Sequence, residues 1–282
     1  MEELKKKLIS LVHVKGVGWK TILRIMKEET GHNSTPGHRS LKPADTVTSN
    51  TLSNIPLNEL LSQYREKRIS VITIFDKQYP KQLKTIYQPP WVLFAKGDTS
   101  LMDSPFLFGV VGSRNASPYG KKAINHLLPS LITEGAVIVS GLARGIDTCA
   151  HTSAISHGGK TIGVIAGGFS HIYPKENISL AEFMMDRHLL LSEYPPDAKP
   201  EKWHFPQRNR IISGLSKGVI VVEAGKKSGS LITADFALEQ GREVFAVPGS
   251  FEHPGCDGTH WLIKQGAKLV IEANDILEEL RY

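Results

Sequence analysis

Two cysteines, Cys149 and Cys256, are all that the 282 residues contain. That is too few for a disulfide framework, and each is expected to be a reduced, small, mostly buried side chain. No apolar run approaches the roughly 20 residues that a membrane helix needs. The N-terminus, MEELKKKLIS, lacks the apolar stretch of a secretory signal. The expected compartment is the cytoplasm. A dinucleotide fingerprint, G-x-G-x-x-G with a later acidic partner, is missing. Gly159-Lys160-Thr161 imitates the end of a phosphate-binding P-loop. Ala154 stands at its upstream partner position, however, and a strand rather than a helix is expected to follow. His253, Cys256 and His260 share one Gly/Pro loop without a fourth ligand, so a plain loop is favoured over a metal centre. No Ser-His-Asp arrangement can be argued from spacing. Neither a metal nor a cofactor is expected.

What is present is ordinary in bulk and uneven in detail. Hydrophobic residues make up 40% and charged residues 22%, as in a soluble globular protein. The length suits one substantial α/β domain plus a small accessory one. A net charge of +6 and a pI of about 9.2 point to a polyanion partner only if the charge clusters where phosphates can sit. It does cluster. Between Phe205 and Ser230, Arg208, Arg210, Lys217, Lys226 and Lys227 stand against a single acid, Glu223.

Residues 1–29 show two helical runs. Leu4, Leu8, Leu11 and Val12 have helical spacing, Lys15-Gly16-Val17-Gly18 interrupts them, and Ile22, Leu23, Ile25 and Met26 resume. This is the outline of a helix-hairpin-helix. Two readings stay open: a phosphate held at the turn's N–H groups, or a pair that only packs. Of the 27 residues from 30 to 56, 17 are Thr, Ser, Asn, Gly or Pro, which reads as a long linker. The expected division is therefore a helical domain with its linker at 1–56 and an α/β domain at 57–282.

In the second part, Val/Ile-rich strands alternate with helices. Strands are expected at Ser70–Phe75, Val92–Ala95, Leu107–Val111, Val137–Ser140, Thr161–Ala166, Leu189–Glu193, Val219–Glu223, Val244–Val247 and Lys268–Ile271. Helices are expected at Tyr119–Thr133, Asp147–Ser156, Lys175–Arg187, Arg208–Leu215, Leu231–Gln240, Thr259–Lys264 and Asp275–Arg281. Such alternation predicts a mainly parallel sheet covered on both faces, doubly wound. Ligands in that architecture bind beyond the carboxyl ends of the strands.

Four junctions there are unusual. Gly112-Ser113-Arg114 follows a strand directly, and arginine can grip phosphate bidentately. Ser140 to Asp147 (SGLARGID) places two glycines around a tight turn. Asp147 is expected to cap the next helix, and Arg144 is either a phosphate ligand or a partner for that carboxylate. Gly167-Gly168 ends another strand, and Lys175 in the YPKEN string opens a helix against the dipole's preference, as an anion at the site would explain. Finally, Lys226 and Lys227 precede Ser228-Gly229-Ser230, whose N–H groups and hydroxyls make an oxyanion nest. Glu223 is the one carboxylate of this region placed for chemistry. Tyr173, Tyr194, Trp203 and Phe205 flank the basic stretch, where aromatic rings either stack on bases or pack in the core.

These strings together identify a family. GSR (112–114), SGLARGID (140–147), YPKEN (173–177), SEYPP (192–196), FPQRNRIISGLS (205–216), the run 221–250 and LIKQGAKLV (262–270) resemble the DNA-processing protein A (DprA/Smf) family over roughly residues 70–282. The resemblance implies an extended Rossmann-like fold behind a small all-helical N-terminal domain. It implies a non-enzymatic protein that binds and protects incoming single-stranded DNA and loads the RecA recombinase onto it during natural transformation. It also implies a homodimer, with single-strand-binding protein as a further candidate partner and no membrane. By position, Arg114 and Lys175 match residues that hold DNA phosphates. Gly112, Gly141 and Gly167 match turns that let the strand approach the backbone. Arg208 and Arg210 fall in the FPxRNR element, in phosphate contact or pocket structure. The full candidate set adds Ser113, Arg144, Lys227, Ser228, Gly229 and Ser230. Residues 257–263 lack the asparagine of the family's Gly-x-Asn-x-Leu-Ile pattern, so no role is carried over there. The alternative is a nucleotide-cleaving, phosphoribohydrolase-like enzyme of the same fold group, with Glu223 and Arg210 as its working pair.

Overall fold

A computed structural model describes residues 1–29 and 55–280. Nine strands form one sheet in the order β1-β2-β6-β5-β4-β3-β7-β8-β9. They are β1 (Ile69–Thr73), β2 (Val92–Gly97), β3 (Leu107–Val111), β4 (Val137–Ser140), β5 (Lys160–Ile165), β6 (Leu189–Ser192), β7 (Gly218–Val221), β8 (Glu243–Ala246) and β9 (Lys268–Leu269). Strands β3 to β9 pair in parallel, while β2 runs antiparallel to both β1 and β6. This is an α/β, Rossmann-like fold extended by an antiparallel edge. The regular strands are Val/Ile/Leu-rich because both of their faces are covered. In β3, Leu107 and Val111 enter one core, and Phe108 and Val110 enter the other, the period of two that a pleated strand imposes.

The α-helices of the described residues are α1 (Glu2–His13), α2 (Trp19–Glu29), α3 (Leu57–Glu66), a short α4 (Lys81–Lys84), α5 (Pro118–Thr133), α6 (Ile146–Ser156), α7 (Ile178–Arg187), α8 (His204–Leu215), α9 (Gly229–Glu239), α10 (Asp257–Lys264) and α11 (Asn274–Leu280). Helices α8 and α9 cover one sheet face, and α5 and α6 cover the other. Helix α8 starts four residues before the expected Arg208. Pro206 sits in its first turn, where a missing N–H costs nothing, so the proline does not break the helix.

The helical pair at the N-terminus is real, with Gly16 at φ +85° in its turn. Leu8, Leu11, Ile22 and Met26 share a core with Tyr64 of α3 and Phe94 of β2. His13 Nε2 lies 2.9 Å from the Tyr64 hydroxyl, and Lys5 Nζ lies 2.5 Å from Asp76. The division into a helical domain with its linker at 1–56 and an α/β domain at 57–282 is a proposal, which the melting behaviour of residues 57–282 alone tests. The expected linker lies outside the described residues except for Ile55 and Pro56, and so does Arg281.

Candidate functional site

Strand order decides where a ligand can sit. The chain walks from β3 out to β6 and then returns to β7 on the other flank of β3. Loops leaving β3 and β7 therefore part at adjacent strand ends, and such a reversal opens a crevice. A cleft of about 950 Å³ lies there. Gly112, Ser113 and Arg114 reach it from β3, and Gly225 to Ser230 reach it from the β7–α9 loop. Phe205, Arg208, Asn209 and Ile212 reach it from one face of α8.

The cleft is cationic. Arg114, Lys202, Arg208, Lys226 and Lys227 line it against one acid, Asp147. All but Arg208 are exposed. Ser228 caps α9: its Oγ accepts from the Ser230 N–H at 3.3 Å and lies 2.7 Å from the Ser230 hydroxyl. The positive end of that helix thus borders the cleft. Ring faces are present too. The Arg114 guanidinium stands 5.8 Å from the Phe205 centroid, and Tyr173, 53% exposed, meets Phe205 edge-on at 5.8 Å. A hollow of about 220 Å³ shares Arg114, Tyr173, Phe205 and Arg208 with the cleft and adds Gly141 and Arg144. Arg144 is paired with Glu176 at 2.8 Å rather than with Asp147.

The two hollows bring together Gly112, Ser113, Arg114, Gly141, Arg144, Arg208, Lys227, Ser228, Gly229 and Ser230. Lys175, Gly167 and Arg210 line neither. Lys175 is exposed on a short 3₁₀ turn before α7. Gly167 is buried, and its carbonyl accepts from Ser192 Oγ at 2.8 Å. Arg210, 4% exposed, donates from Nη2 to both Glu193 oxygens at 2.6 and 2.7 Å.

Arg208 is a joist. Only 5% exposed, it donates from Nη1 to the carbonyls of Gly141 and Val164, the latter at 2.7 Å, tying α8 to β4 and β5. Burial pulls its guanidinium below the ordinary range and pushes the Asp147 carboxyl up, while their opposite charges resist both shifts. Asp147 does not cap its helix as expected. Gly145, at φ +76°, holds that position. The turn after β4 folds back over the helix start and leaves buried N–H groups in need of an acceptor. Asp147 supplies it, accepting from Gly141 at 3.1 Å and Ala143 at 3.4 Å. The same turn holds Leu142 at φ +57°. Asn177 of the YPKEN string clamps it, donating to the Leu142 carbonyl at 2.8 Å.

The glycines make room for protein. A Cβ at Gly112 would press on Ile146, one at Gly141 on the Arg208 guanidinium, and one at Gly167 on Pro200. Glu223, 1% exposed, accepts from the Ser117 N–H at 3.0 Å. With Arg210 engaged by Glu193, no Glu223–Arg210 pair forms. His260 Nε2 lies 3.1–3.2 Å from the backbone of Gly249. Among the described residues no group of three or more His, Cys, Asp or Glu side chains is placed to hold a metal, and no helix is long and apolar enough to cross a membrane.

With this geometry in place, comparison with known proteins is decisive. Residues 70–281 match the family of DNA recombination-mediator protein A. The chain belongs to that family. It is 59% identical over 224 residues to the DNA processing protein DprA of Bacillus subtilis, a match covering 79% of this chain and 75% of that protein. The crystal structure of DNA processing protein A from Streptococcus pneumoniae superposes with a TM-score of 0.79 at 39% identity, covering 99% of this chain and 96% of that one. A solved structure of DNA processing protein A from Helicobacter pylori superposes with a TM-score of 0.69 at 32% identity, covering 76% of this chain and 96% of that one.

Two residues of the cleft carry no sequence signal, Lys202 and Asn209. Lys202 stands just before the basic stretch, in a loop whose path no periodicity reveals. Asn209, between two arginines, donates from Nδ2 to the Gly229 carbonyl at 3.2 Å and so holds α8 to the start of α9. Its place on the Arg208 face of α8 follows only once the helix is known to begin at His204.

Proposed function

We propose that this chain binds single-stranded DNA in the cleft between β3 and β7, catalyses no reaction on it, and passes the protected strand to the RecA recombinase in the cytoplasm. The observation that carries this reading is the convergence of Arg114, Lys202, Lys226, Lys227 and the α9 amino end with the rings of Phe205 and Tyr173. A single strand offers phosphates and unpaired base faces at once, and a cationic groove with ring platforms answers both. A duplex hides its base faces. The Helicobacter pylori relative is described by its single-stranded DNA binding mode, which supports the reading. The recombinase hand-over, a homodimer and a contact with single-strand-binding protein rest on the family resemblance alone.

Anisotropy titrations of labelled single- and double-stranded DNA at rising salt test the strand reading. Tighter binding of the single strand, falling steeply with salt, is expected. Equal affinity for both forms would contradict it. Release of free base from nucleoside monophosphates would move the chain to the enzymatic alternative.

A further inference from the structure

Helix α8 has a second working face. Phe205, Arg208, Asn209 and Ile212 look into the cleft, while Gln207 and Arg210, offset around the helix, line a separate cavity of about 410 Å³. This cavity lies between the N-terminal helical pair and the sheet. Three of the chain's four tryptophans, Trp19, Trp91 and Trp203, line it together with Tyr194. Trp19 and Trp91 stack with centroids 5.3 Å apart. Their indole N–H groups are bound to the carbonyls of Pro89 at 2.7 Å and Trp19 at 3.3 Å, which fixes the ring planes.

The polar side of the cavity is formed by Gln207, Arg210 and Glu193. Arg210 gives Nε to Gln207 at 3.1 Å and Nη2 to Glu193. Its Nη1 is buried and makes no hydrogen bond. A buried guanidinium N–H without an acceptor is costly. That N–H is closed off from the cavity, whereas the Glu193 carboxylate, 17% exposed and lining it, has lone pairs left to receive a donor. A ligand that is flat, aromatic and edged with hydrogen-bond donors fits such a space. Consecutive residues Lys202 and Trp203 line the cationic cleft and this cavity respectively.

We propose that this cavity is a nucleobase site, filled by a base of a strand that leaves the main cleft past Trp203. As to its source, the proposal rests on the strand-binding reading. The site itself stands on the cavity's own residues.

Intrinsic tryptophan fluorescence tests it, using a short thymidine-rich oligonucleotide and, separately, free dGMP. Two variants report on the cavity. Gly18 lines it, and a Cβ there meets nothing within 4 Å, so Gly18→Leu narrows the space while keeping a near-wild-type melting point. Trp203→Ala removes a ring that is 57% exposed. The oligonucleotide is expected to quench the wild type. Both variants are expected to bind it about five- to tenfold more weakly, the loss of one stacked base, and Gly18→Leu is expected to lose most of the quenching. Quenching by dGMP that Gly18→Leu abolishes identifies a free nucleotide as the occupant. Quenching by the oligonucleotide alone identifies a base of the bound strand. Wild-type affinity and quenching in both variants, with no response to dGMP, overturns the proposal and leaves the main cleft intact. If the oligonucleotide binds nowhere, the strand-binding reading falls, and the dGMP arm still decides the cavity.

Discussion

The guanidinium of Arg114 stands over the ring of Phe205, 5.8 Å from its centroid. An exposed arginine on a loop has many rotamers to lose when it grips a ligand. The ring narrows that choice beforehand and adds a cation–π attraction. Phe205→Leu keeps the apolar volume and removes the π face. It is expected to weaken single-strand binding about fivefold or more, by stacking and by a less ordered Arg114. Anisotropy at fixed salt measures this, and unchanged affinity would remove Phe205 from the site.

Arg208 behaves differently. Its bonds go to Gly141 and Val164, and its charge offsets that of Asp147. Arg208→Ala leaves a carboxylate buried without its counter-charge, a loss of about 3–5 kcal/mol for groups so placed. Urea denaturation is expected to show a large fall in midpoint, whereas Arg114→Ala, at an exposed position, leaves the unfolding free energy within about 0.5 kcal/mol of wild type. A stable Arg208→Ala protein that merely binds DNA less well would make Arg208 a contact and not a joist.

Much of this was legible in the sequence, for a physical reason. Strands β3 and β4 begin and end where expected because Val/Ile runs meet Gly112 and Gly141, and those glycines are demanded by Ile146 and Arg208 packing. The basic stretch led to Lys227 and Ser228, both of which line the cleft. What the sequence hid was direction. Arg208 and Arg210 are two residues apart, so a helix turns them to different sides. One braces the cleft floor, and the other binds Glu193, a partner 17 residues away in sequence. Asp147 looked like a cap because it opens a helix. Only the fold-back of the Leu142 turn shows that its acceptor oxygens are needed by Gly141 and Ala143.

His151 gives the protein an acid-sensitive core. It is fully buried, with Nδ1 2.6 Å from Thr161 Oγ1. The Thr161 hydroxyl donates to the Ile138 carbonyl at 2.8 Å, so the ring proton sits on Nδ1 and Nε2 is left bare. Burial, helped by the positive Arg208 and His188, pushes the imidazole down to about 3 from an ordinary 6.5. A depressed folded value means the stabilisation is complete above pH 6.5 and is lost as pH falls toward 3, because only the unfolded chain takes the proton. Between pH 6 and 4 the wild type is expected to lose about 1.4 kcal/mol per pH unit more than His151→Gln. Parallel stability profiles, read from urea midpoints, would show that His151 does not titrate on unfolding.

The cleft as a strand-binding groove is tested most directly by a salt titration of wild type and Arg114→Ala against the same single-stranded oligonucleotide. The logarithm of affinity should fall linearly with the logarithm of salt concentration. Loss of one phosphate contact should make that slope shallower by about 0.7, with weaker binding at low salt and an unchanged melting temperature. Identical slopes and affinities for the two proteins would place the strand somewhere other than the β3–β7 cleft.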